Sequence, residues 1–166
     1  MLYTVDKTKE LEVYVDADSA GGWSSADSES ADNVLSCTGF VICYANCLIL
    51  WCSKLQTEIA LSTAEAEYIT LSHALSKAIP IQSLTKEISC VFPLHIPTTN
   101  FCLTVHEDAR IAMAESIKFT PRTKHIAIKY HHFRSRVQST YNPTGDIRIR
   151  YITTKLQLGY IYQASG

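Results

Sequence analysis

Residues 11–16 read LEVYVD, a short run rich in β-forming side chains that ends on Asp16. Such a run predicts a β-strand. A second β-like run, residues 101–108 (FCLTVHED), ends on Asp108 in the same way. If a helix crosses between the two strands, they are parallel. A compact α/β domain can bring together carboxylates from distant parts of the sequence when they lie at two strand ends and on the helix between them.

The helix expected between these strands starts within residues 62–68 (STAEAEY). Ser62 and Thr63 are candidate N-caps, and acidic residues in the first turns are favoured by the helix dipole. We predict that the helix runs to Ile79 and is ended by Pro80, with a further helical stretch after it up to residue 88.

The helix carries two glutamates, and its periodicity separates them. At about 100° per residue, Glu67 falls between Ala74 and Ala78, on the edge of the apolar arc. Glu65 falls on the polar side of the same helix. The geometry therefore favours Glu67 as the inward-pointing carboxylate, with small neighbours that leave room for an ion.

The remaining pattern predicts three more strands and three more helices. Residues 38–44 and 47–52 form an expected hairpin around the turn Ala45-Asn46, and residues 147–152 alternate apolar and basic side chains as an edge strand would. Helices are expected at residues 109–115, at residues 126–137 and from residue 155 onward. With the short helix at residues 109–115 left uncounted, the resulting order is βββαβ-α-β-α.

Composition sets broad limits on the class of protein. A chain of 166 residues with 46% hydrophobic and 19% charged residues suits one globular domain. Residues 1–109 carry 5 basic and 14 acidic residues, a balance of −9, whereas residues 110–166 carry 10 basic and 2 acidic ones, a balance of +8. This contrast predicts an acidic site beside a basic surface, although two differing solvated faces would produce the same numbers.

Cysteine usage and hydropathy indicate an intracellular, soluble protein, either cytoplasmic or nuclear, without a membrane partner. The six cysteines form no Cys-x-x-Cys pair, which disfavours a zinc ribbon. Most of them lie in apolar, strand-like runs, which indicates a reducing compartment without a disulfide framework. The N-terminus has no apolar signal region, and no run approaches the roughly 20 apolar residues of a membrane span.

Four segments, in order, resemble the ribonuclease H domain of copia-type retrotransposon polyproteins. From the N-terminus they are residues 14–21 (YVDADSAG), residues 53–62 (SKLQTEIALS) running into residues 64–68 (AEAEY), Glu107 with Asp108, and residues 121–126 (PRTKHI) with residues 129–134 (KYHHFR). The resemblance implies an α/β, ribonuclease H-like fold, a mixed five-stranded sheet with flanking helices. It also implies a single domain over residues 1–166, with residues 1–10 as a lead-in and residues 155–166 as a truncated last helix.

The resemblance further implies a metal site for cleavage of the RNA strand of RNA–DNA hybrids. Asp16, Glu67 and Asp108 match three of the family's four acidic metal ligands, and Mg²⁺, or Mn²⁺ in its place, suits such oxygen ligands. Two ions held this way activate water and stabilise the leaving oxygen. Taken alone, each aspartate at a strand end is also compatible with a turn cap.

Tyr160 stands where the resemblance places the fourth acid. A phenol has an ordinary pKa of about 10 and is a neutral, poor ligand for Mg²⁺ at pH 7. The segment after Asp108 is also about two residues shorter than in the family. We therefore expect impaired activity, and the question whether the chain is an enzyme stays open between a weakened nuclease, an inactive nucleic-acid-binding remnant and a relic without selected function.

Residues 118–136 contain six Lys or Arg residues and no acid. Cations of this kind would contact phosphates of a nucleic acid, and interleaved aromatic residues would stack on bases. The alternative is an amphipathic helix whose apolar residues, Phe133 and Val137 among them, face the core. The predicted nucleic-acid contacts are Arg122, Lys124, His125, Lys129 and Arg134.

Overall fold

The computed structural model describes residues 10–18, 35–92, 103–107 and 132–152. Five strands form one mixed sheet of order β3-β2-β1-β4-β5, in which β1–β2 and β2–β3 pair antiparallel and β1–β4 and β4–β5 pair parallel. The strands are β1 (Leu11–Asp18), β2 (Cys37–Tyr44), β3 (Cys47–Leu55), β4 (Leu103–Glu107) and β5 (Ile147–Tyr151). The predicted mixed five-stranded sheet is confirmed, including the parallel pairing of β1 with β4 and the edge position of β5.

The hairpin between β2 and β3 turns at Ala45 and Asn46, as the sequence predicts. Both residues have positive φ, 50° and 64°. Two consecutive residues of this kind form the tight turn whose twist matches that of the flanking strands.

One long helix, α1 (Thr63–Val91), packs on one face of the sheet and contains Pro80. The prediction that Pro80 ends this helix is wrong. Proline lacks the backbone donor, which costs about 3 kcal/mol in a helix interior, but its ring is exposed here. On either side of it Ala78 and Gln82 are buried, at 0% and 2% exposed. We infer that packing of these neighbours outweighs the lost hydrogen bond.

The main core lies between α1 and the sheet. Odd-numbered residues of β1 face the helix, and even-numbered Tyr14 packs with Val41 and Cys43 on the opposite face. The core consists of side chains from all described strands except β3, from α1 and from residues 133–137: Leu11, Val13, Val15, Phe40, Ile42, Tyr68, Ile69, Leu71, Ala74, Leu75, Ala78, Val105, Phe133, Val137 and Ile147. Among the described residues, no helix is long and apolar enough to span a membrane.

The described part of the segment predicted as a helix at residues 126–137 is not α-helical. Its residues from 132 onward form a turn and a 3-10 helix, Arg134–Arg136, and Val137 bridges to Ile147 beside the sheet. The expectation that Phe133 and Val137 face the core is confirmed, since they are 0% and 2% exposed. The predicted helices at residues 109–115 and from residue 155 lie outside the described residues, and the single-domain division stays a prediction.

An ion-pair network attaches this segment to α1. Arg136 donates from Nε to Asp146 Oδ1 at 3.0 Å and from Nη2 to Asp146 Oδ2 at 2.5 Å, and Nη2 also donates to Gln82 Oε1 at 2.7 Å. Lys86 of α1 reaches Asp146 Oδ2 at 3.4 Å. The helix α1 and residues 136–146, which are distant in sequence, therefore meet at one carboxylate.

We expect Asp146→Asn to lower the free energy of unfolding by about 1 kcal/mol at pH 7, with the loss disappearing in acid. Partial burial raises the pKa of Asp146, but the hydrogen bonds and charge of Arg136, then those of Lys86, outweigh it, so the pKa lies below its ordinary value. A lowered folded pKa stabilises the fold above the unfolded pKa of about 3.9, and this stability is lost as pH falls through the folded pKa. Urea unfolding at pH 7, 5 and 3 measures the difference between the two proteins. A difference that stays constant down to pH 3 would contradict this role of Asp146.

Candidate functional site

Asp16 lies near the carboxyl end of β1, where it pairs with Gly39 of β2. Its side chain is partly buried. By strand alternation it belongs to the row of Glu12 and Tyr14, on the face of the sheet away from α1. The strand continues two residues beyond the end that the sequence predicts, to Asp18, so the Asp16 carboxylate lies near the strand end and not at its last residue.

Glu67 lies in the second turn of α1 and is also partly buried. The start of the helix is defined by Ser62, the N-cap, whose Oγ accepts a hydrogen bond from Glu65 N at 3.2 Å. Glu65 in turn accepts one from Leu61 N through Oε2 at 2.8 Å. This reciprocal pair is a variant of the capping box, and it ties the Glu65 carboxylate to the backbone.

Glu65 therefore serves as a cap, and its predicted environment is wrong. Glu65 is not on a solvated polar side but is buried, at 7% exposed. Burial follows from its capping bond, because the carboxylate folds back over the first turn to reach Leu61. The Ser-x-x-Glu spacing in the sequence is the signal from which this cap could have been read.

Asp16 and Glu67 lie at the same end of the sheet. At this end Asp18 of β1 pairs with Cys37, and Cys37 pairs with Leu55 at the end of β3. The next residue, Gln56, donates from Nε2 to the carbonyl of Ala66 at 2.9 Å. The first turns of α1 are therefore fastened to the end of the sheet where β1 carries Asp16.

The third predicted ligand, Asp108, lies outside the described residues, as does Tyr160 at the position of the fourth acid. Among the residues that the structure does describe, no group of three His, Cys, Asp or Glu side chains is arranged to hold a metal ion. Asp16 and Glu67 provide the chemistry that such an ion requires, since both are carboxylates with hard oxygen donors. The chemistry of these two donors is compatible with a divalent cation.

Of the predicted nucleic-acid contacts, only Arg134 lies within the described ranges, in the 3-10 helix. Its side chain is half-buried, and its positive charge lies close enough to Tyr68 to affect that group. Burial raises the pKa of Tyr68 to about 12, and the charge of Arg134 opposes this rise. Arg122, Lys124, His125 and Lys129 lie outside the described residues.

The cations of residues 118–136 are not all alike. Arg136 is committed to Asp146, so part of the charge counted in the sequence is neutralised within the fold. His132 is exposed, lies edge-on to Phe133 with ring centroids 5.6 Å apart, and has Nδ1 3.5 Å from Ser72 Oγ. Charge counting alone does not separate a structural arginine from one that is available to a ligand.

Comparison with known proteins places the chain among retrotransposon sequences. It is 32% identical over 127 residues, 76% of this chain, to the retrovirus-related Pol polyprotein from transposon TNT 1-94 of Nicotiana tabacum. It is 32% and 33% identical over 151 residues, 91% of this chain, to the corresponding polyproteins from transposons RE2 and RE1 of Arabidopsis thaliana. The matches span 8% of the first relative and 9% of the other two. No family model matches the chain.

A solved structure shares the arrangement of the elements. The N-terminal RNase H domain of a Mycobacterium tuberculosis protein, determined as a fusion with maltose-binding protein, superposes with a TM-score of 0.54. The superposition covers 94% of each chain at 10% sequence identity. At this identity the likeness concerns the fold alone.

Proposed function

Because the homologues of this chain are Pol polyproteins of copia-type plant transposons and its fold is ribonuclease H-like, we propose that it is a retrotransposon-derived ribonuclease H domain. Its reaction is metal-dependent hydrolysis of the RNA strand in RNA–DNA hybrids. Its activity is impaired because Tyr160 replaces the fourth acid.

The observation that carries the proposal is that the first turns of α1, which include Glu67, are attached to the end of the sheet at which β1 carries Asp16. The β1–β4 register supports Asp108 as the third ligand. Tyr14 pairs with His106, and in the sequence Asp16 and Asp108 each follow their member of this pair by two residues. This equal spacing supports the proposal that Asp108 joins Asp16 as a ligand, because β1 and β4 are parallel neighbours.

Asp16, Glu67 and Asp108 would hold Mg²⁺, or Mn²⁺ in its place. Bound there, the ions supply an activated water and charge relief at the leaving oxygen. The contribution of the chain would be to fix three carboxylates at one place, while Arg122, Lys124, His125, Lys129 and Arg134 would bind phosphates of the hybrid. Phosphate contacts made by these residues orient the substrate but carry no sequence preference.

The test is cleavage of an end-labelled RNA–DNA hybrid in the presence of Mg²⁺ and, separately, of Mn²⁺. We expect weak cleavage by the wild type that falls to the level of the buffer blank in Asp16→Asn. Glu67→Gln and Glu65→Gln form a matched pair on one helix, and we expect only Glu67→Gln to abolish cleavage, because Glu65 serves as a cap. Equal loss in both glutamate variants would overturn the assignment of Glu67.

The second candidate function is a nucleic-acid-binding remnant without activity, and the tyrosine at position 160 favours it. In this case the wild type binds the hybrid with salt-dependent affinity and cuts with neither ion. Filter binding at two salt concentrations, run beside the cleavage assay, separates the two functions.

A further inference from the structure

Gln56 directly follows β3 and is among the most deeply buried polar residues described, at 1% exposed. Its backbone N–H donates to the carbonyl of Ser36 at 2.8 Å. Its side-chain Nε2 donates to the carbonyl of Ala66 at 2.9 Å and to Thr70 Oγ1 at 3.2 Å. One residue thus joins the start of β2, the end of β3 and two successive turns of α1.

The same network continues to β1. Thr70 Oγ1 lies 3.1 Å from Thr38 Oγ1, and both threonines are buried, at 1% and 0% exposed. Thr38 pairs with Ala17, the neighbour of Asp16 on β1. A continuous chain of contacts therefore leads from the strand residue beside Asp16 to Ala66, the helix residue immediately before Glu67.

We propose that Gln56 is a positioning residue for the metal site, which sets the first turns of α1, and with them Glu67, against the strand end that carries Asp16. The inference rests on the proposed function, because it assigns a role toward the ion held by these carboxylates. Gln56 contacts neither carboxylate in the described network and acts through Ala66 and Thr70. Residues one step removed from the ligands orient those ligands and affect metal affinity.

The hydrogen-bonding of Gln56 also argues for a role beyond packing. Its acceptor Oε1 is buried and has no hydrogen-bond partner among the described residues. An unsatisfied buried acceptor lowers stability, and an apolar side chain of similar shape would avoid this loss. What such a side chain would not provide is the pair of directional bonds to Ala66 and Thr70.

A second buried glutamine, on α1, offers a matched control for Gln56. Gln82 is also buried, at 2% exposed, and its side chain also bonds across to another part of the chain, through Arg136 and the carbonyl of Asp146. It lies in the C-terminal half of α1, about four turns from Ala66. Replacing either glutamine by methionine keeps an unbranched side chain of similar length and removes its hydrogen bonds.

The experiment measures Mn²⁺ binding by calorimetry and amide hydrogen exchange in the wild type, Gln56→Met, Gln82→Met and Asp16→Asn. We expect Gln56→Met to weaken Mn²⁺ binding by about 10- to 100-fold and to speed exchange of the amides in the second turn of α1. Gln82→Met should leave Mn²⁺ affinity within about twofold of the wild type, given its distance from the site. Thr70→Val, which removes the acceptor of Gln56 at nearly constant volume, should reproduce part of the effect if Gln56→Met fails to fold.

The outcomes distinguish the inference from the function on which it rests. Equal Mn²⁺ affinity in Gln56→Met and Gln82→Met, with normal binding by the wild type, overturns the positioning role and leaves the proposed function standing. If the wild type binds Mn²⁺ no better than Asp16→Asn, the proposed metal site itself fails and the positioning role fails with it. Weakened binding in Gln56→Met and Thr70→Val, beside loss in Asp16→Asn and wild-type affinity in Gln82→Met, supports the inference.

Discussion

Replacing Tyr160 by aspartate is expected to raise the rate of hybrid cleavage by about 100-fold over the wild type. The reason is that a carboxylate would take the position of the family's fourth acid, which a neutral phenol fills poorly. A ligand of this kind lowers the barrier through the charge that it brings to the metal site, and each 1.4 kcal/mol, roughly, corresponds to a tenfold change in rate. The measurement is single-turnover cleavage of the labelled hybrid with Mg²⁺.

Tyr160→Asn is the matched control, because it removes the same phenol but introduces a neutral amide. If Tyr160→Asp cleaves the hybrid and the double variant with Asp16→Asn does not, the restored acid at position 160 works together with Asp16. If Tyr160→Asp stays as inactive as Tyr160→Asn, the impairment does not lie at this position. The shortened segment after Asp108 would then be the next place to repair.

Gly145→Ala is expected to lower the free energy of unfolding by about 3 kcal/mol, toward the upper end of what overpacking costs. A Cβ atom at position 145 would lie 2.5 Å from Gln138 N, 2.6 Å from Val137 C and 2.7 Å from Arg136 O. All three are backbone atoms, which cannot swing aside as the end of a side chain would. No described glycine has a positive φ, so the expected loss comes from lack of space and not from backbone strain.

The backbone around Gly145 has little freedom to adapt. Gln138 N donates to Ile147 O at 2.7 Å, which holds the two sides of this loop together. The residue after Gly145 is Asp146, the shared partner of Arg136 and Lys86, and the next one, Ile147, is fully buried. Displacing Gly145 would therefore disturb both the ion-pair network and the start of β5.

Urea unfolding of Gly145→Ala beside Thr144→Ala tests this expectation. Thr144 is the exposed neighbour, and its side chain makes only one exposed hydrogen bond in the described set, to Asn142 Oδ1 at 3.3 Å. We expect its replacement to change stability by no more than about 0.5 kcal/mol. Similar stability of the two variants would contradict the close packing at Gly145.

Much of the sheet could be predicted from the sequence because its signals are local. Apolar runs such as residues 11–16 have the period of a strand, and Ala45-Asn46 between two such runs favours a tight turn. Ser62 marks the start of α1 because a side-chain oxygen at that position satisfies a free backbone donor. Within the site, the strand position of Asp16 and the helix position of Glu67 follow from these same local patterns.

Residues 126–137 illustrate where local patterns fail. Their apolar spacing favours a helix, yet the described part ends in a 3-10 turn and a bridge from Val137 to Ile147. The same apolar residues reach the core in either conformation, so periodicity does not separate the two. Pro80 is the opposite case, in which a strong local stop signal is outweighed by the burial of Ala78 and Gln82.

By itself the sequence determined the order of strands and helix and the candidate carboxylates. It also carried the resemblance to the ribonuclease H domain of copia-type polyproteins. Each of these depends on short segments whose residues are near one another in the chain. The tertiary structure decided which polar groups are tied up within the fold. It engages Glu65 as a cap, pairs Arg136 with Asp146, and brings Gln56 to Ala66 and Thr70. The physical reason is that partners such as Gln82 and Arg136, 54 residues apart, meet only when the helix packs against the sheet.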